Sequence, residues 1–249
     1  FPVSDRARDV ADALVRQLEE TGVKVFYKTA AHDISLDENG AVRAVLTSKG
    51  AFPCRAAILC TGGLSYPRTG STGDGLKMAE KLGHTVIPPR PSLVPLEASP
   101  EICGRMQGLA LKNVAIKVYD GGKKPVYEDF GELLFTHFGV SGPLILSASA
   151  HTREFDRKKY SLSIDLKPAL DEKELDERLL RDFEKYANRD FANALGDLLP
   201  RLMIPVIVDL SGIPPHQKVH SITRRQRQAL LGLLKSFTLH VIGPRPIDE

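Results

Sequence analysis

The chain has 249 residues, 42% of them hydrophobic, so it can form one large domain or two small domains with a buried core. Its 34 basic and 31 acidic residues give a net charge of +3. This balance argues against nucleic acid as a partner, because binding to a phosphate backbone needs a concentrated basic face. The three cysteines have no Cys-x-x-Cys spacing, which is typical of reduced thiols and indicates a cytoplasmic protein. The sequence contains no apolar run long enough to cross a bilayer, so we expect no membrane partner.

The first part of the chain predicts an α/β arrangement. Apolar residues recur at helical spacing between Val10 and Leu18, and alternating segments flank the turn signal at residues 37–40. In chain order we expect a helix over residues 5–20, a strand over 23–27, hairpin strands over 32–36 and 42–46, a strand over 56–60 and a helix over 75–82. This order is typical of the second half of a dinucleotide-binding domain, and the GxGxxG motif of a first half is missing from the sequence.

Prolines between Pro88 and Pro95 indicate a linker, because proline interrupts both helices and central strands. Beyond it, strand patterns over residues 113–119, 124–127, 132–135 and 160–165 predict an antiparallel sheet or a small barrel. Helical patterns follow over 170–183, 191–199 and 223–234, before a last strand over 236–242. We therefore divide the chain into residues 1–92, residues 93–168 with a return strand over 236–245, and residues 169–235.

The most informative segment is the glycine-rich loop of residues 61–75, which lies between a predicted strand and a predicted helix. Glycines allow close approach of the backbone, and the unpaired N–H groups of a first helical turn favour an anion or the polar edge of a cofactor. We therefore predict a cofactor-binding loop. The alternative is a long turn whose glycines only supply positive φ and whose Ser71, Thr72 and Asp74 only cap the helix.

Three segments carry a resemblance to a known family. They are the opening Phe1-Pro2, residues 59–96, and residues 131–143 with the sequence Gly-Glu-Leu-Leu-Phe-Thr-His-Phe-Gly-Val-Ser-Gly-Pro. Together they resemble the BaiN-like, aminoacetone-oxidase-like group of bacterial NAD(P)/FAD-dependent flavoproteins. The Thr-Gly-Asp-Gly element of residues 72–75 is also similar to the flavoprotein subunits of fumarate reductase and succinate dehydrogenase. The resemblance covers most of the chain.

The resemblance implies an α/β fold, α+β overall, in which a Rossmann-like FAD-binding domain is interrupted by an antiparallel β-barrel and a helical subdomain. It further implies that this chain is the central part of such a protein. The N-terminal glycine fingerprint for the FAD pyrophosphate and the C-terminal segment that closes over the flavin would then lie outside it. By itself the chain is expected to hold little or no FAD and to be inactive.

The same resemblance implies a set of cofactor contacts. Ala31, in the hairpin, would offer its backbone to the adenine, and Asp74 would contact the cofactor through its carboxylate. Cys60 stands where the family usually has alanine, and we expect it to be a small core residue. The full set is Ala31, Cys60, Thr61, Gly62, Gly63, Gly70, Ser71, Thr72, Gly73 and Asp74.

Two side chains are candidates for the chemistry. His137 is a candidate for proton transfer because histidine titrates near neutrality, and its alternative role is that of a packed core residue. Tyr66, just before Pro67, can present its hydroxyl to a flavin or a substrate, and its alternative role is packing within the loop. The spacing of the other histidines and the cysteines predicts no metal site.

The most basic stretch is Arg224-Arg225-Gln226-Arg227. The leucines that follow it predict the solvated face of an amphipathic helix, with a ligand-binding or partner-binding role as the alternative.

We therefore predict the central part of an FAD-dependent oxidoreductase that transfers reducing equivalents between flavin and a small organic substrate, with NAD(P)H as the donor that the resemblance implies. Members of that group reduce steroid-like enones or oxidise small amino ketones, so the substrate stays open. Two other hypotheses are a non-catalytic folding or binding unit without flavin, and a nucleotide-binding protein without redox activity. The sequence gives no basis for predicting the oligomeric state.

Overall fold

The computed structural model describes residues 2–248, which form two compact units, residues 2–88 and residues 89–248. The first unit contains α1 (Ala7–Glu20), the antiparallel sheet β1 (Ala31–Leu36), β2 (Val42–Thr47) and β3 (Gly50–Pro53), and α2 (Asp74–Lys81). Both predicted helices and the predicted hairpin are confirmed at nearly the expected bounds. Strand β3, which pairs with β2, was not predicted.

The predicted strands over residues 23–27 and 56–60 are wrong, because both segments are irregular in the structure. Their composition favours strands, but a strand forms only where its N–H and C=O groups pair with a neighbour. These segments have no such neighbour in the described part of the first unit. Large side chains on them are exposed, Phe26 by 55% and Ile58 by 89%, and α1 buries none of its residues.

The second unit is built on a closed, six-stranded antiparallel barrel. Its strands are β4 (Leu96–Ala98), β5 (Ala110–Tyr119), β6 (Tyr127–Phe135), β7 (Gly139–Ser141), β8 (Tyr160–Asp165) and β9 (Phe237–Pro244). Around the barrel they follow the order β4-β7-β6-β5-β8-β9, and β9 closes the ring by pairing with β4. The sequence predicted a sheet or a small barrel, and the barrel is correct. The segments predicted at 124–127 and 132–135 are represented by the single strand β6.

Alternate residues of the long strands fill the barrel, as the strand repeat requires. Ile116 and Val118 of β5 and Leu162 and Ile164 of β8 are almost completely buried. Two short helices, α3 (Pro100–Cys103) and α4 (Pro143–Ser149), contribute further buried side chains, and α4 packs against β6.

Three helices are inserted between β8 and β9, namely α5 (Glu172–Lys185), α6 (Ile204–Ser211) and α7 (Arg224–Lys235). Capping boxes start α5 at Asp171 and α7 at Thr223, so both helices begin where side chains satisfy the first N–H groups. The apolar faces of α5 and α7 belong to the same core as the barrel. Barrel and helices therefore share one hydrophobic core.

The helix predicted over residues 191–199 is wrong. Only one 3₁₀ turn forms there, at Phe191–Asn193, and turns follow it. Asp197 accepts hydrogen bonds from Lys185 and Tyr186, which fixes this segment against α5 in an irregular conformation that still buries Leu195 and Leu198. Helix α6, which was not predicted, follows it.

Two glycines flank Glu97 on opposite sides of β4, Gly139 on β7 and Gly243 on β9. A Cβ at Gly139 would overlap the backbone of Leu96 and Ala98, whereas nothing lies within 4 Å of a Cβ at Gly243. We expect Gly139→Ala to lower the free energy of unfolding by about 1–3 kcal/mol, since backbone atoms must move apart where the barrel closes. Gly243→Ala, the matched control, should change it by less than about 0.5 kcal/mol. Urea unfolding followed by circular dichroism checks this, and equal losses in the two variants would contradict the close approach at Gly139.

Candidate functional site

The two halves of the glycine-rich loop lie against each other. The N–H of Gly73 donates a hydrogen bond of 3.0 Å to the carbonyl oxygen of Gly63. A Cβ at Gly62 would lie 2.8 Å from Oγ of Ser71, and one at Gly75 would overlap the Thr61 hydroxyl. The structure thus brings predicted contact residues from 61–63 and from 70–74 together, and the glycines make this approach sterically possible.

Within residues 2–248, no side chain caps α2. Its N-cap is Gly73, in the left-handed conformation at φ 78°, and no side-chain oxygen of the described residues accepts a bond from the first turn. The Thr72 hydroxyl instead donates to the Asp74 carboxylate at 2.8 Å. The capping contacts that the alternative interpretation of this loop requires are therefore not formed by Ser71, Thr72 or Asp74. The first-turn N–H groups remain available to an anion.

A small cavity of about 200 Å³ lies beside this helix start. It joins Ala31 at the beginning of β1 to Asp74 at the beginning of α2, two residues predicted separately as cofactor contacts. Its wall also includes His32, Lys77 and Lys81, which the sequence analysis missed. The sequence could have revealed the two lysines through their spacing from Asp74, because residues 74, 77 and 81 share one face of a helix.

Both lysines at this cavity lie close to carboxylates. Nζ of Lys77 lies 3.7 Å from the Asp74 carboxylate, and Nζ of Lys81 lies 3.0 Å from that of Asp33. The hydrogen bond from Lys81 lowers the pKa of Asp33 below its usual value, so this carboxylate stays ionised at neutral pH. Lys77 stays largely exposed and lies within reach of a bound anion.

Cys60 is exposed, which corrects the expectation that it is a small core residue. The reason is that residues 56–60 pair with no strand in the described part of the first unit, so nothing covers the thiol. All three cysteines are free, and burial raises the pKa of the Cys103 thiol to about 12. That thiol is therefore protonated at neutral pH and inert.

Tyr66 lies in the middle of the loop in the left-handed region at φ 55°, and it is 64% exposed. Non-glycine residues are uncommon there. Its carbonyl oxygen accepts hydrogen bonds from the backbone and the hydroxyl of Thr69, which hold the turn. Because the residue is largely exposed, its phenol is not packed within the loop.

His137 lies in the second unit, in the turn between β6 and β7, whereas all the other candidate residues lie in the first unit. Its ring is exposed and makes an edge contact with Phe138, with ring centroids 5.1 Å apart. The N–H of Gly139 donates to Oγ1 of Thr136, which fixes the turn. The packed-core alternative for His137 is therefore not what the structure shows.

A further cavity of about 550 Å³ opens on the second unit, lined by Arg90, Asp120, His151 and Lys158 among others. Lys158 bridges Asp120 at 3.0 Å and Glu154 at 2.9 Å, so its charge is already neutralised. Within residues 2–248, no group of three or more His, Cys, Asp or Glu side chains is arranged to hold a metal ion. None of the helices described here has the length and apolar character needed to cross a membrane.

Comparison with known proteins adds a family model and three relatives. A family model described as "HI0933-like protein barrel and H2TH domain" matches residues 90–249. The ribosomal RNA dihydrouridine synthase of Escherichia coli is 30% identical over 243 residues, covering 96% of this chain and 56% of that protein. The 3-dehydro-bile acid delta(4,6)-reductase of Clostridium scindens is 24% identical over 251 residues, covering 100% of this chain and 60% of that protein.

A second ribosomal RNA dihydrouridine synthase, from Haemophilus influenzae, is 28% identical over 222 residues, covering 88% of this chain and 52% of that protein. The chain thus spans a little over half the length of the curated relatives it matches.

The two ends of α2 provide a test of the loop. Gly73, at the start, and Gly83, just past the end, both have positive φ, 78° and 90°. Valine is strained at both positions, but only at Gly73 does it also intrude on the loop, 2.6 Å from Cδ2 of Leu64. We expect Gly73→Val in the intact protein to weaken FAD binding at least tenfold, a loss of about 1.4 kcal/mol. Gly83→Val should retain FAD. Flavin content after gel filtration measures both, and equal content in the two variants would contradict the cofactor-binding loop.

Proposed function

The chain belongs to the HI0933-like protein family, and we propose that the intact protein is an FAD-dependent oxidoreductase that reduces a carbon–carbon double bond conjugated to a carbonyl group. The relatives' names support this reaction class. One names a synthase of dihydrouridine in ribosomal RNA and the other a delta(4,6)-reductase of a 3-dehydro bile acid. Dihydrouridine is uridine with two hydrogens added across the bond conjugated to the C4 carbonyl, and a 4,6-diene is conjugated to a 3-oxo group in the same way.

The observation that carries the FAD assignment is the start of α2. Its N-cap is a left-handed glycine, and no side chain of the described residues caps its first turn. Such a helix end holds an anion or the polar edge of a cofactor. Lys77 and Lys81 also line the cavity that Ala31 and Asp74 line, and each is paired with a carboxylate. The residues present therefore fit a dinucleotide, with the Asp74 carboxylate as acceptor for a sugar-type hydroxyl and the backbone of Ala31 beside the adenine. A bound flavin would supply the redox chemistry there.

The exposed apolar surface of the first unit supports the proposal that residues 1–92 are half of a Rossmann-like domain. Val10 and Leu14 of α1 are exposed by 47% and 64%, as are most large side chains of the unpaired segments 23–27 and 56–60. Large apolar side chains exposed in such number are rarely left open in a folded protein. We propose that further residues of the intact protein cover it and pair with both segments. Residues 93–168 with 236–245, and residues 169–235, would be the barrel and helical subdomains inserted into that domain.

Reduction of a conjugated double bond adds a hydride equivalent at one carbon and a proton at the carbon next to the carbonyl. We assign the proton to His137, because its ring is exposed on a turn that Thr136 and Gly139 hold in place. Tyr66 is the second candidate acid, since it lies within the cofactor-binding loop and is largely exposed. NAD(P)H would be the source of the hydride equivalents, and the protein would act in the cytoplasm.

The two substrate classes can be ranked. The relatives named for ribosomal RNA are 30% and 28% identical to this chain, and the one named for a bile acid is 24% identical. This favours the uracil ring of RNA over a small steroid-like enone, which is the second candidate. A non-catalytic unit without flavin is the remaining alternative.

We expect the purified intact protein to show flavin absorbance that dithionite bleaches, and to add two hydrogens to uridine in an unmodified ribosomal RNA transcript, as detected by mass spectrometry. Activity on a 3-oxo-4,6-diene steroid and none on RNA would select the second candidate. A colourless protein with neither activity would refute the oxidoreductase proposal and support a non-catalytic unit without flavin.

His137→Gln should lower turnover by roughly 100-fold, because the general acid is lost while the cofactor-binding loop is untouched. The matched control is His240→Gln, an exposed histidine on β9 of the same barrel. Single-turnover rates and flavin content measure the effect. Wild-type rates in His137→Gln would remove this residue from the mechanism.

A further inference from the structure

Charge is strongly segregated along this chain. Residues 210–247 contain no Asp or Glu, but they contain six of the 34 basic residues and three of the seven histidines. The other 28 basic residues and all 31 acidic residues lie outside this segment. The small net charge of the whole chain therefore conceals one basic segment, which begins in the last turn of α6 and runs through α7 and β9.

Three of the six basic side chains are largely buried in ion pairs within the fold. Arg227 binds Asp176 at 2.7 Å, Lys235 binds Asp165 at 2.6 Å and Arg245 binds Glu97 at 2.8 Å. These pairs hold α7 and β9 in place.

The remaining three are Lys218, Arg224 and Arg225, all exposed. Lys218 pairs with Asp190 at 2.8 Å, whereas Arg224 and Arg225 form no ion pair or side-chain hydrogen bond within residues 2–248. Asp176 interacts electrostatically with Arg224, but its carboxylate is already bound by Arg227 and Gln228. Two adjacent guanidinium groups are thus open to a ligand.

The turn after α5 adds more positive charge to the same place. The N–H of Val219 donates to the carbonyl oxygen of Arg189, and the N–H of His220 to that of Ala187, both at 3.0 Å. Arg189 is exposed, with its guanidinium stacked on Tyr186 at 4.4 Å. We define the basic turn surface by its members, Arg189, His216, Lys218, His220, Arg224 and Arg225. The acid between them is Asp190, which both Lys218 and His216 approach.

The backbone beneath this surface is held rigidly. The side-chain amides of Gln217 and Gln226 exchange two hydrogen bonds, of 2.9 and 3.2 Å, and tie the turn to the first turn of α7. The capping box of Thr223 and Gln226 fixes the helix start itself. A surface already ordered in this way loses little conformational freedom when it binds a ligand. The N-terminus of α7 also carries the positive end of the helix dipole.

We propose that the basic turn surface binds the phosphate backbone of RNA and holds an RNA substrate on the protein. The proposal rests on the proposed function in one respect, the preference for uridine in RNA over a small enone. Contacts from Arg and Lys to phosphates position a nucleic acid without reading its sequence, and the planar guanidinium binds phosphate in a bidentate manner. This role is distinct from the cofactor-binding loop, and it assigns the helical subdomain to substrate binding.

The test uses the intact protein and a fluorescein-labelled RNA hairpin with uridines in its loop, with affinity measured by fluorescence anisotropy over a series of salt concentrations. Arg224→Gln/Arg225→Gln should weaken binding at least tenfold and reduce the slope of log affinity against log salt by roughly 1.5, the loss of two phosphate contacts. Lys123→Gln/Lys124→Gln removes two adjacent exposed charges from the turn between β5 and β6, and it should bind within about twofold of wild type.

Two measurements separate this surface from folding and from the reaction. Arg224→Lys/Arg225→Lys should recover most of the salt slope, and the thermal stability and flavin content of all variants should match wild type. Unchanged affinity in Arg224→Gln/Arg225→Gln, an equal loss in the lysine control, or a wild-type protein that reduces an enone but binds no RNA would each overturn the proposal. RNA binding that depends on these arginines in a protein without flavin would support the surface and refute the oxidoreductase.

Discussion

The pairing of β8 with β9 is the interaction on which the second unit depends. These strands are neighbours in the barrel although three helices are inserted between them, and their ladder runs from Tyr160 and Val241 to Ile164 and Phe237. At its helical end Lys235 binds Asp165 and also donates to the carbonyl oxygens of Lys167 and Leu170. Both ends of the helical insertion are therefore held at one point. Because α7 enters β9 almost directly, the basic turn surface has a fixed position relative to the barrel.

The sequence allows prediction of elements whose pattern repeats often enough to be recognised. Strands β5 and β8 and helices α5 and α7 were predicted because several periods of alternation or of helical spacing fall within each of them. Strands β4 and β7 have three residues each, too few to show a period, and yet they close the barrel. Their place depends on Gly139, which lets the two backbones meet, and only the structure shows that contact.

In the first unit the sequence predicted strands that do not form, although the local composition does favour strands. Residues 23–27 and 56–60 have the composition of strands, but strand formation is a property of two segments and the described part of this unit supplies only one of each pair. Prediction of the candidate site also succeeded only where the features are local in sequence.

The loop of residues 61–75 could be predicted because its glycines and hydroxyls are adjacent in sequence. The cavity that joins Ala31 to Asp74 could not, because it depends on how α2 packs against β1.

The net charge of the whole chain does not predict its binding partner, because a partner contacts only the charges exposed on one surface. The balance of 34 basic and 31 acidic residues argued against nucleic acid. Several acids are engaged in structural pairs, however, among them Asp165, Asp176 and Glu97, and these pairs hold basic side chains of the 210–247 segment inside the fold. A phosphate backbone meets only the exposed side chains, among them Arg224 and Arg225, which form no ion pair in the described part of the chain. Affinity for a polyanion depends on that local density of charge, because each contact releases its own counterions and the sum over the whole chain does not enter.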